Sequence, residues 1–221
     1  MKKIFSELKN YLALCVVYGV LSLLVFAASE HQIHISMVFN LCLAIIPLLL
    51  SRIFLRLEKR WAMMLIAVVW MLFLPNAFYM LTDFIHVSQL EFFTGDYYEF
   101  KTVEYVMSTT IYLEMISITL GYVLSTIAAV WSVCDAENWL KKNMESWRVP
   151  IMIVIFGLVG YAIYIGRFIR LYSWDVLNVP LLVRKLADGM GWDAVWFSLL
   201  FALYAAGIYA IYRVVSEKKA K

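Results

Sequence analysis

Six long apolar stretches restrict the folds that this sequence can adopt. Each is long enough to cross the hydrocarbon core of a bilayer, which requires roughly 17–25 helical residues. They are 11–28, 35–51, 61–82, 105–134, 149–166 and 194–212. The chain is 64% hydrophobic and only 16% charged, against about 25% charged in a soluble domain. We therefore predict an all-α integral membrane bundle of six transmembrane helices.

The first apolar stretch has a second interpretation, a signal peptide, because Lys2, Lys3 and Lys9 precede it and small residues end it. The apolar core of a signal peptide usually has about 7–15 residues. The uncharged run here is longer, so we expect a retained helix. We further expect one transmembrane domain over 1–221, because the connections are short and the sequence has no fixed-period repeat or Gly/Ser linker.

The distribution of Lys and Arg predicts the orientation of the six spans. Alternate connections and both termini carry 14 of the 19 basic residues, namely Lys2, Lys3, Lys9, Arg52, Arg56, Lys59, Arg60, Lys141, Lys142, Arg148, Arg213, Lys218, Lys219 and Lys221. Basic residues favour the cytoplasmic side. We therefore predict that both termini are cytoplasmic. The net charge of +3 gives no reason to expect a nucleic-acid partner.

The fifth connection is an exception, because it is predicted to be extracytoplasmic and yet contains four basic residues. Two of them, Arg184 and Lys185, lie in the stretch "VPLLVRKLADGMGW". We expect this stretch to be an amphipathic interfacial segment whose cations reach lipid phosphates. The outer loops are also rich in aromatic residues, which favour the headgroup level. Membrane lipids are therefore the expected partners.

Polar residues interrupt the outer end of the third span in the stretch "LPNAFYMLTDFIH". If α-helical phase continues from Asn76, then Tyr79, Asp83 and His86 project from the same face. Lipid cannot satisfy a polar stripe, so this face must contact protein or water. The fifth span ends similarly in "YIGRFIRLYSWDVL", where Arg167, Arg170 and Trp174 follow helical spacing and Asp175 comes next.

Glu114 is the one charged residue within the six predicted spans. Thr110, Ser117 and Gly121 share its helical face. An intramembrane carboxylate indicates a functional site unless a partner neutralises it. The structural alternatives are an ion pair with Arg167 or Arg170, or a protonated acid that hydrogen-bonds Thr110. The sequence leaves both interpretations open, and we predict that Glu114 faces the bundle.

The two quoted stretches resemble the signature segments of a family of bacterial multi-pass membrane proteins known only as a domain of unknown function. The resemblance extends from about the first span to the sixth. It implies a location in the bacterial inner membrane and no particular activity. It also assigns Asn76, Tyr79, Asp83, His86, Arg167, Arg170, Trp174 and Asp175 to a candidate site.

Four functions are compatible with these residues. In the first, the two arginines bind the phosphate of an anionic lipid headgroup or a phosphorylated lipid, and Asp83, His86 and Asp175 perform catalysis. In the second, Glu114 is an ion or proton site of a transporter or of a substrate-binding membrane subunit. In the third, the protein is a scaffold whose charges form interhelical salt bridges.

A metal site is the fourth function, with Asp83, His86, Asp175 and either Glu91 or Asp96 as ligands. One histidine with scattered carboxylates is a poor ligand set, and the neighbouring arginines repel cations, so we predict no metal. Cys15, Cys42 and Cys134 lie far apart in or beside apolar segments, so we predict neither a disulfide nor a thiolate site.

Overall fold

The computed structural model describes residues 2–95, 104–170, 177–189 and 191–218. These residues form seven α-helices and several short segments. The helices are Lys2–Ser29 (α1), Ile33–Phe54 (α2), Arg60–Tyr79 (α3), Thr109–Asn143 (α4), Arg148–Tyr164 (α5), Val179–Asp188 (α6) and Trp192–Lys218 (α7). The short segments are 3₁₀ helices at Met80–Gln89 and Glu145–Trp147, a π-helical turn at Ile165–Ile169, and strands Phe93–Thr94 (β1) and Glu104–Tyr105 (β2).

Six segments of the described chain are long and apolar enough to cross a membrane, which confirms the predicted fold class. They are Glu7–Ser29, Ile33–Phe54, Arg60–Gln89, Thr109–Asn143, Glu145–Ile169 and Trp192–Ser216. Many of their exposed side chains are large and apolar, as Val16 and Leu24 of α1 and Leu203 of α7 illustrate. Apolar exposure of this extent is expected where a surface contacts lipid.

The fourth span is longer than predicted, because α4 continues past Cys134 to Asn143. The prediction ended this span where the first charged residues follow. In the structure Asp135 and Glu137 are buried, with exposed fractions of 6% and 9%, and both have cationic partners. Because these charges are paired, the helix continues through them.

The third span also differs from the prediction. Its α-helical part ends at Tyr79, and the chain continues as the 3₁₀ helix Met80–Gln89. A 3₁₀ segment is common at the C-terminus of an α-helix, and it turns 120° per residue rather than 100°. The prediction that one α-helical face continues from Asn76 to His86 is therefore wrong beyond Tyr79.

The stretch "VPLLVRKLADGMGW", which was predicted to lie at the membrane interface, contains α6. Asn178 caps its N-terminus, because the side-chain oxygen accepts a hydrogen bond from the Leu181 amide at 3.3 Å, and a proline occupies the first turn. Both features are typical of helix starts.

The connection between the third and fourth spans contains β1 and β2. These strands pair antiparallel, with Phe93 opposite Tyr105 and Thr94 opposite Glu104.

Contacts between residues group the chain into two compact units. Unit 1 comprises Met1–Cys42 and Met80–Leu124, and unit 2 comprises Leu43–Tyr79 and Ser125–Lys221. The single domain over 1–221 stays a prediction, and the two units are described separately below.

A stripe of small and polar residues on α4 forms the centre of unit 1. Glu114, Ser117 and Gly121 are buried along one face of this helix, as the sequence predicted. Tyr18 of α1 packs directly on Gly121, where a Cβ atom would overlap the tyrosine hydroxyl. Glycine is therefore required here so that the two helices can approach each other.

In unit 2, α5 packs against α7 and α3. Gly160 of α5 contacts the Ser198 carbonyl and Ala202 of α7 so closely that a Cβ atom would overlap both. Gly157, one turn earlier, is exposed and has no neighbouring atom within 4 Å among the described residues. Of these two glycines, Gly160 is therefore the one that sets the distance between the helices.

We expect Gly160→Val to destabilise unit 2, because overpacking a tight contact costs about 1–3 kcal/mol. Gly157→Val is the matched control, since it carries the same cost of a β-branched residue in a helix but faces open space. The midpoint of thermal unfolding in detergent should be lower for Gly160→Val than for the control. Equal midpoints would contradict the tight contact between α5 and α7.

Candidate functional site

The residues of the first motif fall into both units. Asn76 and Tyr79 belong to unit 2, whereas Asp83 and His86 belong to unit 1. Asn76 donates a hydrogen bond from Nδ2 to the Phe73 carbonyl of its own helix at 3.2 Å. The Tyr79 hydroxyl accepts one from Nη1 of Arg167 at 3.4 Å. Unit 2 therefore brings together one residue from each motif.

Asp83 is buried in the 3₁₀ helix, with 3% of its surface exposed. Its Oδ2 atom accepts a hydrogen bond from Nδ2 of Asn40 in α2 at 2.9 Å. His86 follows three residues later and is half-buried. Residues three apart are aligned in a 3₁₀ helix, so these two side chains share a face of this short helix.

The second motif begins in the π-helical turn, which contains Arg167. Arg170 ends this turn in the left-handed conformation, with φ of 56°, and its carbonyl accepts a hydrogen bond from Nζ of Lys185 at 3.0 Å. Left-handed backbone is uncommon for residues other than glycine, and π turns often occur at functional sites. Trp174 and Asp175 lie outside the described residues.

Glu114 is the centre of the most concentrated group of titratable side chains in unit 1. It is 2% exposed, and its Oε2 atom contacts two imidazoles. Nδ1 of His31 lies 2.5 Å from this oxygen and Nε2 of His34 lies 3.3 Å from it. The His31 side chain is 57% exposed, whereas that of His34 is fully buried. We call these three residues the His–Glu–His cluster.

The short connection between α1 and α2 positions both histidines. α1 ends at Ser29, and the next residue, Glu30, adopts the left-handed conformation with φ of 59°. The Ser29 hydroxyl accepts a hydrogen bond from the His31 amide at 3.3 Å. The His34 amide then donates to the His31 carbonyl at 3.3 Å. The turn therefore brings both rings to the same oxygen atom of Glu114.

The hydrogen-bond geometry determines where the protons of the cluster lie. An ionised carboxylate only accepts, so His31 Nδ1 and His34 Nε2 must both carry hydrogen when Glu114 is charged. His34 Nδ1 is buried and has no partner among the described residues. A hydrogen on that atom would be buried without an acceptor, which is unfavourable. The ring of His34 therefore carries its hydrogen on Nε2.

A second layer of polar groups lies beside the cluster. The Ser22 hydroxyl of α1 donates to the His34 carbonyl at 2.9 Å, and the Ser117 hydroxyl donates to Ser22 Oγ at 3.4 Å. Both serines are fully buried. The polar interior of unit 1 thus continues inward from Glu114 along α4.

The predicted partners of Glu114 differ from those in the structure. The sequence favoured Arg167, Arg170 or Thr110, whereas His31 and His34 make the observed contacts. These histidines lie between the first two predicted spans, in a connection without Lys or Arg and outside the apolar stretches. One signal was available, because two of the three histidines of the chain stand three residues apart there.

Unit 2 contains two further buried carboxylates that the sequence analysis missed. Asp135 accepts a hydrogen bond from the Ser51 hydroxyl at 2.8 Å, and its Oδ2 atom forms a salt bridge with Nε of Arg52 at 2.9 Å. Glu137 accepts from Nη1 of Arg148 at 3.1 Å. Arg213 Nη1 lies 3.6 Å from Glu137, and the Tyr209 hydroxyl donates to it. Arginine stays charged at all ordinary pH values, so both carboxylates have a partner whose positive charge is fixed.

Within the described part of the chain, no group of three or more His, Cys, Asp or Glu residues could hold a metal ion. In the His–Glu–His cluster, both ring nitrogens point at the same carboxylate oxygen at hydrogen-bond distance. These distances correspond to hydrogen bonds between the imidazoles and the carboxylate.

A family model described as "Protein of unknown function (DUF1361)" matches residues 39–209. The chain belongs to this family. The match begins within α2, so it covers less of the chain than the sequence resemblance suggested. It includes Asn40, Asp83 and Glu114 and begins after His31 and His34. No match is found among curated proteins or among solved structures.

Proposed function

We propose that this member of the family is a proton-linked transport protein of the bacterial inner membrane. Protons enter at the His–Glu–His cluster from the extracytoplasmic side, and both termini face the cytoplasm. One observation carries the proposal. A single oxygen of a buried intramembrane carboxylate contacts an exposed imidazole and a fully buried imidazole. Ionisable groups inside membrane segments commonly mark proton pathways.

The chemistry of the partners distinguishes this site from a structural ion pair. The partners of Asp135 and Glu137 include arginines, which do not release their protons. The partners of Glu114 are imidazoles, and imidazole is the side chain whose charge ordinarily changes between about pH 5 and 8. A permanent cation would neutralise a buried carboxylate equally well. Two imidazole partners, which can gain or lose a proton, add the capacity to take up and release a proton.

The exposed position of the His31 ring supports proton movement from the surrounding solution to Glu114. His31 leaves its Nε2 atom available on an exposed ring, while its Nδ1 contacts Glu114. A proton that binds at Nε2 allows the Nδ1 proton to pass to Oε2 of Glu114, so that the ring stays neutral overall.

The orientation follows from the charge distribution. Fourteen of the 19 basic residues lie at the termini and in the second and fourth connections, which favours a cytoplasmic location for these parts. The connection that carries His31 is then extracytoplasmic. The site therefore faces the side of the membrane from which protons enter a respiring bacterial cell.

Purified protein in liposomes should admit protons after an external acid pulse. We expect entry to be faster than in empty liposomes, as measured with an enclosed pH-sensitive dye while valinomycin and potassium clamp the membrane potential. Glu114→Gln should slow entry by about 100-fold or more, the usual contribution of a positioned proton donor. Native membrane vesicles that are right-side-out should respond to the pulse, whereas inverted vesicles should respond less.

Glu91→Gln is the matched control, because Glu91 is an exposed carboxylate of the same unit. It should admit protons like the parent. The proposal is wrong if the parent behaves like empty liposomes, or if Glu114→Gln conducts as well as the parent. A stronger response from inverted vesicles would contradict the proposed orientation.

A second candidate function is the binding of an anionic lipid headgroup in unit 2. The contact between Arg167 and Tyr79 supports it, because a guanidinium beside a phenol hydroxyl forms a fork of donors suited to phosphate. Arg170 is exposed directly after the π turn, and its backbone is tied to Lys185 of α6. These residues and Asn76 would hold the headgroup.

Native mass spectrometry with mixed phosphatidylglycerol and phosphatidylethanolamine tests this second function. Arg170→Ala should reduce bound phosphatidylglycerol by about tenfold, which corresponds to one charge-assisted hydrogen bond of about 1.5 kcal/mol. Lys142→Ala, which removes an exposed cation from the end of α4, is the control and should leave binding unchanged. Equal loss in both variants would show only general electrostatic attraction.

A further inference from the structure

Four helices of unit 2 surround an apolar cavity of about 150 Å³. Its walls come from α2, α3, α4 and α5, and all of the lining residues belong to unit 2. Trp70 and Ile155 of these walls are buried, whereas Phe54 and Ile151 are half-buried. The cavity is therefore a cleft that is partly open to the surroundings of the protein, and we call it the four-helix cleft.

The polar side chains of the four-helix cleft are bonded to neighbouring groups. Nε1 of Trp70 donates to the Ser132 hydroxyl at 2.7 Å, and this hydroxyl donates to the Pro47 carbonyl at 2.9 Å. The Ser51 hydroxyl donates to Asp135 at 2.8 Å. An apolar cavity of about this volume stays dry and binds apolar molecules. The cleft therefore suits an apolar occupant better than water.

The four-helix cleft lies at the end of unit 2 where basic residues are concentrated. Phe54, which lines the cleft, is the last residue of α2. The connection of residues 55–59 then leads to α3, which forms the next wall. Arg56, Lys59 and Arg60 are exposed in and beside this connection. An occupant of the cleft would therefore have several cations at the end of its site.

Arg52 connects this basic end to the cleft itself. It follows the lining residue Ser51, and its Nε atom lies 2.9 Å from Oδ2 of Asp135. The Arg52 side chain is 22% exposed. A guanidinium has five N–H donors, and even a bidentate carboxylate engages two of them. Arg52 can therefore bind a second anion while it keeps its contact with Asp135.

The charges at this end match a lipid with two phosphates. Residues 52–60 contain four cations and one acid, and Asp135 compensates one more of these cations. Two positive charges remain in excess. Basic pockets between transmembrane helices on the cytoplasmic side bind cardiolipin headgroups, and the distribution of Lys and Arg favours the cytoplasmic side for this connection.

We propose that the four-helix cleft binds a diphosphate phospholipid of the cardiolipin type from the cytoplasmic leaflet. One acyl chain occupies the cleft, Arg52 binds one phosphate, and Arg56, Lys59 and Arg60 attract the other. Hydrophobic transfer gives no net gain inside a bilayer, because lipid tails are as apolar as the cleft. The chain instead supplies van der Waals contacts that the unfilled cleft lacks, and the phosphates select the lipid.

This site differs from the candidate headgroup site at Arg167. Ile151 of the cleft and Arg167 belong to opposite ends of one span, about 24 Å apart at ~1.5 Å per helical residue. The cleft also lies in unit 2, whereas the His–Glu–His cluster lies in unit 1. The cardiolipin site therefore goes beyond both functions proposed above and depends on neither.

Photocrosslinking with a cardiolipin that carries a diazirine in one acyl chain tests the site. The full chain would be reconstituted in phosphatidylethanolamine vesicles with a small fraction of this probe, and crosslinked residues would be mapped by peptide mass spectrometry. We expect crosslinks to concentrate on the cleft residues of α3, α4 and α5. A phosphatidylglycerol probe with the same acyl chain should label them about tenfold less, the factor that one charge-assisted hydrogen bond provides.

Ala67→Phe fills the cleft from α3. Ala67 is a half-buried lining residue, so a phenyl ring at this position takes the space of the acyl chain. Crosslinks to the cleft residues of α4 and α5 should fall to the level found on lipid-facing residues such as Leu203, which is 71% exposed. Val68→Phe is the matched control, because Val68 is 68% exposed on the same helix, and it should be labelled like the parent.

Thermal unfolding in detergent establishes whether each variant keeps its fold. If Ala67→Phe unfolds, Ala136→Phe replaces it, because Ala136 lines the same cleft from α4. It should lower the crosslinks on α3 and α5 in the same way.

Arg52→Lys tests the phosphate contact. Lysine keeps a positive charge beside Asp135 but lacks the planar fork of donors that suits phosphate. Labelling by the cardiolipin probe should fall by about tenfold, the loss of one charge-assisted hydrogen bond. Arg213→Lys is the matched control, because Arg213 also pairs with a buried acid of α4, Glu137, and lies outside the cleft lining. Its labelling should match the parent.

Four results would overturn the site. Labelling of the cleft no stronger than that of Leu203 would show only the lipid that surrounds any membrane protein. Equal labelling of Ala67→Phe and Val68→Phe would place the acyl chain outside the cleft. Equal labelling by the cardiolipin and phosphatidylglycerol probes would contradict recognition of two phosphates, and equal labelling of Arg52→Lys and Arg213→Lys would contradict the role of Arg52. None of these measurements depends on proton conduction, so the site and the proposed function can fail separately.

Discussion

The Glu114 carboxylate must be compensated, and much of unit 1 is arranged around that requirement. Transferring a carboxylate from water to the interior of a protein costs several kcal/mol even after relaxation. His31 and His34 supply the compensation through one oxygen atom. The left-handed turn at Glu30 brings both rings to that oxygen. The buried serines and the close approach of α1 to α4 at Gly121 extend the same polar interior.

The buried acids on α4 have partners of two different chemical kinds. Asp135 and Glu137, in the second half of the helix, have arginine partners whose charge is fixed. Glu114, in the first half, contacts two imidazoles, and imidazole is the side chain whose charge ordinarily changes between about pH 5 and 8. The proposed proton site rests on this difference between the partners of the three acids.

The spans and the buried face of α4 were predictable from the sequence, because apolar length and helical periodicity are local properties. The stripe of Glu114, Ser117 and Gly121 followed from spacing alone. The partners of Glu114 were not predictable in this way. His31 lies in a connection, and its contact with Glu114 depends on a turn whose left-handed residue is not glycine. The end of α4 was missed because pairing of Asp135 and Glu137 requires distant arginines. The change of pitch after Tyr79 likewise has no clear local signal.

Histidine-selective ¹⁵N labelling tests the central claim most directly, because the chain contains three histidines and each can be assigned by substitution. The protein would be titrated in lipid nanodiscs from about pH 8 to about pH 5, where imidazole ordinarily changes charge. If the cluster shares its protons, the ¹⁵N chemical shifts of the His31 and His34 rings change together as the pH falls. Glu114→Gln then alters the chemical shifts of both rings and leaves those of His86 unaffected. Independent titration of His31 and His34, unchanged by Glu114→Gln, would contradict the proton-exchange site.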